Sequence, residues 1–514
     1  MTQSGLHHVT GITASVQANV DFYMGFLGLR LVKRTAGFAD AEQLHLIYGD
    51  GLGSPGSLLT FLVWEATGSG RTGIGQVSEV ALAVPPATLG DWLTKALAAN
   101  VPFDGPTREF EEPVLRLKDP DGLIVKLVGV AMATPAPLLD APTRLRGVTV
   151  LTDKPGTAEF LTRFGYRYGP RRGLTQRMVS DTDVVDVREV SGYVPSVPGA
   201  GVPDHVAFRA AAADVVHVMQ HSLAEHGPTE VHDRKYFLSL YVRDPAGILI
   251  EYATDRPGMT VDEAPDSLGE TLFLPPGDPN RDEDLKAMLP QFVMPGEDRF
   301  PHRDLPFIHR FNRPQEPDGT TIILLHGSGG NEASLMPFAR RVAPHATLIG
   351  VRGRATEDGS NRWFRRIGAF DIDMADLQAE ASAFMAFLER VVADYGLDAD
   401  RLVCLGYSNG AGLLAAVLQL YPGVLRRAIL LRGFQTLEGD SAADLSGTNI
   451  LMLDGRDDPV VRRGISLVNG LRERRATVEV RTMPAGHALT GADAGAAAEW
   501  LSQVHAGTTY GASK

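Results

Sequence analysis

Short apolar runs separated by turn-forming clusters fill residues 1–255, and parts of this pattern occur twice. Leu117-Lys118-Asp119-Pro120-Asp121-Gly122-Leu123-Ile124-Val125-Lys126 matches Val242-Arg243-Asp244-Pro245-Ala246-Gly247-Ile248-Leu249-Ile250-Glu251. Asp-Pro-x-Gly is turn chemistry and the apolar run after it fits a buried strand, so each copy predicts a hairpin. Upstream, Glu79-Val80-Ala81 corresponds to His205-Val206-Ala207 at nearly the same offset. Leu6 to Leu29 and Leu145 to Tyr166 each read as strand, helix and strand. The pattern predicts four βαβββ modules in two halves, 1–131 and 143–256, joined by the Pro/Ala-rich stretch Met132 to Pro142.

From 257 to 304 the character changes to a Pro-rich extension with one periodic piece, a helix over Asp282 to Leu289, and an interdomain linker over Met294 to Asp304. Over 305–510, apolar strands alternate with amphipathic helices: Thr320–Leu325, Leu377–Tyr395, Arg401–Leu405, Gly410–Tyr421, Ala428–Leu431, Ile450–Leu453 and Val478–Thr482. Such alternation predicts a mostly parallel, doubly wound α/β sheet with helices on both faces. The fold class expected is thus α+β followed by α/β.

Composition narrows the function classes. A chain of 514 residues is too long for one core. A net charge of −13 argues against a nucleic-acid partner. No apolar run is long enough to span a membrane, and the start lacks a basic-plus-apolar signal, so a cytoplasmic location is expected. The single cysteine, Cys404, rules out an intrachain disulfide and reads as part of a buried strand.

Two sets of residues carry chemistry. Gly406-Tyr407-Ser408-Asn409-Gly410 stands between a predicted strand and helix, the context a nucleophile elbow requires. The flanking glycines allow strand and helix to approach, and Ser408 is lifted above the sheet. Asp458, just before Pro459, is the expected acid, with Asp457 and Asp454 as rivals. His487 follows the next strand as general base. The oxyanion hole needs two backbone N–H groups: Asn409 supplies one, and the loop His326-Gly327-Ser328-Gly329-Gly330 supplies the other, assigned to Ser328.

The second set is His8, His205 and Glu251. Together they form a two-histidine, one-carboxylate set of the kind that binds iron(II) and leaves positions open for substrate and oxygen. A carboxylate ending an apolar strand is costly to bury without a cation. The repeat places Glu79 and Lys126 where the later copy has His205 and Glu251, and a protonated lysine cannot ligate. One metal site is expected.

The serine motifs, with Arg362-Trp363-Phe364, resemble the carboxylesterase/phospholipase branch of the α/β-hydrolases over about 200 residues. That resemblance implies a Ser-His-Asp hydrolase of small carboxylic esters, with Trp363 and Phe364 lining an acyl pocket. Residues 4 to 292 resemble the vicinal oxygen chelate (glyoxalase-like) superfamily, within it the ring-cleaving dioxygenases of hydroquinones. This second resemblance implies Fe(II), with Mn(II) as the alternative, on His8, His205 and Glu251. It also implies a substrate pocket lined by His7, Thr10, Arg234 and Tyr241, the last taking part in catalysis. Asp204 departs from the family, which can carry a histidine there. The partners implied are small aromatic and ester substrates and dioxygen, with homo-oligomerisation left open. The competing readings keep the hydrolase and make the front half a glyoxalase-like isomerase or lyase, or a non-catalytic module that binds aromatics.

Overall fold

The computed structural model describes residues 4–509 except 39, 66, 193, 278, 299–304, 369–370, 438–442 and 460. The chain divides into two compact units, Met1–Gly277 with Pro290–Asp298, and Asp278–Leu289 with Arg299–Lys514. The helix expected at Asp282 to Leu289 spans Pro279–Met288 and belongs to the second unit, where Arg340 and Arg341 pair with Glu283 and Asp284. Of the expected linker, 299–304 lie outside the described residues.

The first unit contains two curled sheets, one of nine strands and one of eight. The nine-stranded sheet joins the first and fourth βαβββ modules through antiparallel pairing of Leu6–Thr13 with Pro203–Ala210. The eight-stranded sheet joins the second and third through Gln76–Val84 and Leu145–Thr152. The two sequence halves therefore interleave. Each module's first strand is buried along most of its length and needs a partner strand, which the other half provides. A two-residue strand, Leu272–Phe273, adds to the edge of the nine-stranded sheet beside Arg34 and Thr35.

The second unit is a seven-stranded sheet. His309–Asn312 runs antiparallel at one edge, followed by parallel strands in the order Thr347–Val351, Thr321–Leu325, Leu402–Tyr407, Arg427–Leu431, Asn449–Gly455 and Thr477–Met483. Two apolar cores cover its faces, one around Phe384, Phe387 and Leu414, the other around Met336, Ala497 and Trp500. Because both faces are covered, the strands are continuous hydrophobic runs rather than alternating ones. Among the described residues no helix is long and apolar enough to cross a membrane.

Candidate functional sites

His8, His205 and Glu251 come from three adjacent strands of the nine-stranded sheet. Ala207 pairs with His8 on one side and Glu251 on the other, and Thr10 pairs with His205. Side chains on a pleated sheet alternate between faces, so this register projects all three to the same side. His8 Nε2 lies 3.0 Å and His205 Nε2 2.9 Å from Glu251 Oε2, and the two nitrogens are 3.3 Å apart. Metal–ligand bonds of about 2.1 Å at right angles would set neighbouring donor atoms about 3 Å apart, so the triangle has the size of one face of an octahedron.

Each of the two histidines has a partner on its other ring nitrogen. His205 Nδ1 meets Asp204 Oδ2 at 2.7 Å, and His8 Nδ1 meets His7 Nδ1 at 2.8 Å. Such contacts fix the ring and tautomer of a metal-binding histidine. Glu251 is 0% exposed, and its Oε1 has no hydrogen-bond partner among the described residues. Burial works to raise its carboxyl, but the attraction of His8 and the hydrogen bonds of both histidines hold it well below the usual range. Burial likewise works to lower His205, whereas its hydrogen bonds to Asp204 and Glu251 carry it up to about 9. A buried anion with an unsatisfied oxygen, facing two oriented imidazoles, is the donor set of a divalent cation. The residues fit the metal.

The triad lies at a cavity of about 350 Å³, which Thr10, Arg234 and Tyr241 also line. The Arg234 guanidinium lies 5.6 Å from the Tyr241 ring centre, and that ring packs edge-on to His205 at 5.6 Å. Burial, then the charge of Glu251, pushes the Tyr241 phenol far up, so it remains a hydrogen-bond donor. Apolar walls come from Phe38, Ile47, Leu62 and Phe237.

His7 departs from expectation: it does not line the cavity but stands behind His8. A register shift between Leu6 and His8 turns its imidazole toward its neighbour, and burial followed by repulsion from His8 lowers it to about 3. Sequence reasoning missed His45, which does line the cavity. It ends a chain of contacts: His45 Nε2 to Thr60 Oγ1 at 3.0 Å, Thr60 Oγ1 to Thr10 Oγ1 at 2.8 Å, and Thr10 Oγ1 to His205 Nε2 at 2.9 Å. The only sequence signal was its alternation on Leu44–Gly49.

The eight-stranded sheet places Gly147, Glu79 and Lys126 at the register positions of His8, His205 and Glu251. There the Lys126 ammonium, 3% exposed, lies 3.1 Å from Glu79, 3.0 Å from Glu109 and 3.0 Å from Thr149. A side-chain cation takes the place a metal would hold.

In the second unit, Ser408 sits at the tip of Leu402–Tyr407 with φ 50° and ψ −109°, and Asn409–Leu420 begins directly after it. Such a conformation is strained for a residue with a side chain. The turn is tight: a Cβ on Gly410 would lie 2.3 Å from the Leu325 carbonyl oxygen, and one on Gly406 2.7 Å from the Ala411 nitrogen. His487 Nε2 is 2.9 Å from Ser408 Oγ, and its Nδ1 is 2.9 Å from Asp458 Oδ2. Among the three candidate acids, Asp458 is the one that meets His487.

Asn409 begins the helix, so its N–H has no intrahelical acceptor. In the facing loop, Gly329 N–H donates to Asn361 O and Gly330 N–H to Gly327 O, whereas the Ser328 N–H has no protein acceptor among the described residues. Trp363 differs from expectation. It is fully buried in the core, donating from Nε1 to His326 O and from its backbone N–H to Asn409 Oδ1. It ties the 326–330 loop to the elbow from within the core instead of lining an acyl pocket, and Phe364 is buried in the same core.

Both halves have relatives. Residues 5–127 match the model of the glyoxalase/bleomycin resistance protein/dioxygenase superfamily, and residues 308–505 that of the phospholipase/carboxylesterase family. The chain belongs to both: its first unit is a ring-cleaving-dioxygenase-like member of the former and its second a hydrolase of the latter. MhqO of Bacillus subtilis (strain 168), named for ring-cleaving dioxygenase activity, is 34% identical over 56% of this chain and 96% of its own length. The chlorohydroquinone/hydroquinone 1,2-dioxygenase of Sphingobium indicum is 32% identical over 56% and 97%. MhqD of Bacillus subtilis (strain 168), named as a hydrolase, is 33% identical over 36% of this chain and 92% of its own. A crystal structure of a Bacillus subtilis protein named as a dioxygenase superposes with a TM-score of 0.53 at 32% identity, covering 57% of this chain and 98% of its own.

Proposed function

We propose that the first unit is an Fe(II)-dependent, extradiol-type dioxygenase that opens the ring of a hydroquinone- or catechol-like diol, and that the second hydrolyses a related ester or the ring-opened product. The observation that carries the reading is the convergence of His8 Nε2, His205 Nε2 and Glu251 Oε2 at a cavity lined by aromatic and aliphatic groups together with Arg234 and Tyr241. Bound iron would draw electron density from the ring toward dioxygen. Around it, Asp204 and His7 hold the two imidazoles in place, Arg234 offsets the charge of a phenolate oxygen, and Tyr241 donates a hydrogen bond to the substrate. The apolar walls seat the ring and exclude water from it.

At the second site His487 takes the proton of Ser408 Oγ as that oxygen attacks the acyl carbon, and Asp458 orients and stabilises the imidazolium. The Asn409 and Ser328 N–H groups bind the oxyanion. His487 then returns the proton to the leaving alcohol, and water repeats the sequence in reverse.

Iron content and oxygen uptake on hydroquinone, measured alongside p-nitrophenyl acetate hydrolysis, test the assignment. His8→Ala is expected to lose iron and oxygen uptake together and keep esterase activity. Full iron loading and turnover in that variant would refute the ligand set. Turnover of a thiol adduct without oxygen consumption would favour the isomerase or lyase reading instead.

A further inference from the structure

Arg432 follows directly after the strand Arg427–Leu431, at the same carboxyl end of the parallel strands as Ser408. It is 1% exposed and holds a left-handed backbone, φ 53°. An arginine in that conformation is uncommon, and a strained residue persists where its surroundings fix it. All five guanidinium N–H donors have acceptors. Nε donates to Gly486 O at 2.9 Å. One terminal nitrogen donates to Leu453 O at 3.1 Å and Asp493 Oδ1 at 2.7 Å. The other donates to Ala488 O at 3.1 Å and Asp493 Oδ2 at 3.2 Å.

Two of these acceptors, Gly486 O and Ala488 O, flank His487 in the chain. A third, Leu453 O, lies on the strand that leads to Asp458. Nε is also 4.0 Å from Asp458 Oδ2, the oxygen that meets His487. Asp493 closes the loop from the far side, accepting from the backbone N–H and hydroxyl of Thr490 at 2.8 and 2.7 Å. Burial works to raise the Asp493 carboxyl, but the bonds from Arg432 and Thr490 hold it below the usual range. Asp493 is therefore held as a carboxylate, and Arg432 bolts residues 486, 488 and 493 to a single side chain.

We infer that Arg432, with Asp493 as its counter-charge, is the positioning residue of the hydrolase: it holds the His487 loop so that the imidazole spans Ser408 and Asp458. This inference rests on the Ser408–His487–Asp458 reading. A buried pair that served folding alone is often replaceable by apolar residues of similar volume at no loss of stability. A pair that holds a catalytic loop is not replaceable without loss of turnover.

The test is a double-mutant cycle on full-length protein with p-nitrophenyl acetate. Arg432→Met/Asp493→Leu is expected to lower kcat at least about 100-fold with KM changed less than about threefold. Arg432→Lys, which keeps the charge and part of the bonding, is expected to recover about tenfold of that loss. In a His487→Ala background the same substitutions are expected to change residual activity less than about threefold, because the group they position is gone. Unaltered kcat in the folded double variant, or an equal loss with and without His487, would overturn the inference. If the double variant does not fold, Arg432→Lys alone decides through the same comparison with and without His487. Ser408→Ala and His487→Ala serve as controls: full activity in either would overturn the triad reading, and this inference with it.

Discussion

At the scale of single residues, the environment of a carboxylate separates the three acids that sequence order left as alternatives. Asp458 is 4% exposed and meets His487, while Asp457 is exposed and stays on the loop with its backbone N–H donating to Ala485 O. Asp454, on the strand just before, is pushed up to about 6, by burial first, with Arg432 opposing and Asp458 adding to the rise. A carboxyl raised in the folded state binds its proton more tightly there than in the unfolded chain. Its stabilising contribution is present below its ordinary pKa of 3.8 and lost as pH climbs through about 6. Asp454→Asn should therefore melt above the parent at pH 8 and no higher at pH 4, read by thermal unfolding across that range. The sequence made Ser408, His487 and the candidate metal triad legible because each stands at a strand end, on the loop after a strand or on a buried strand, with a polar group that an apolar environment does not explain. It could not reveal His45 or Arg432. Their partners, Thr60 for one and Gly486, Ala488 and Asp493 for the other, are brought to them only by the fold. It misplaced His7 and Trp363 for a related reason: a one-residue register shift and a buried indole N–H contact leave no mark in composition or spacing.

At the scale of elements, the repeat was legible and its pairing was not. Asp-Pro-x-Gly hairpins report where strands lie, but which module pairs with which depends on contacts between residues some 200 apart, such as Leu6 with Phe208. The register that aligns Lys126 with Glu251 gives a specific expectation. Lys126→Met leaves Glu79 and Glu109 with Arg116 as their remaining shared cation and Glu79 with Arg188 besides, so it should cost about 1–3 kcal/mol in urea unfolding, mainly from the buried hydrogen bonds left unmade. It should leave metal content per chain unchanged, since the lysine is on the other sheet; a fall in metal loading in the folded variant would argue against a single centre. In the second unit, the elbow's closeness to the neighbouring strand is equally restrictive. Gly410→Ala sets a methyl group against the Leu325 carbonyl and should destabilise by at least about 3 kcal/mol, with loss of fluorophosphonate labelling at Ser408. Retained stability and labelling would contradict that packing.

At the scale of the whole molecule, the two candidate sites use separate residues, and each set lies within one unit. The expected consequence is independence of the two chemistries. Ser408→Ala should silence ester hydrolysis and leave oxygen uptake within about twofold of the parent, while His8→Ala should do the reverse. A single chain bearing both activities keeps them in equal amounts, which suits consecutive steps on one aromatic compound. Comparing the products of the parent and Ser408→Ala proteins would establish whether the hydrolase acts on the ring-opened product. The most direct test of the central claim is oxygen uptake by the Ser408→Ala protein, reconstituted anaerobically with Fe(II) and then given hydroquinone and air-saturated buffer. The account predicts one dioxygen consumed per ring opened, with iron bound at one per chain. Iron bound at that ratio with no oxygen consumed on hydroquinones or catechols would contradict it.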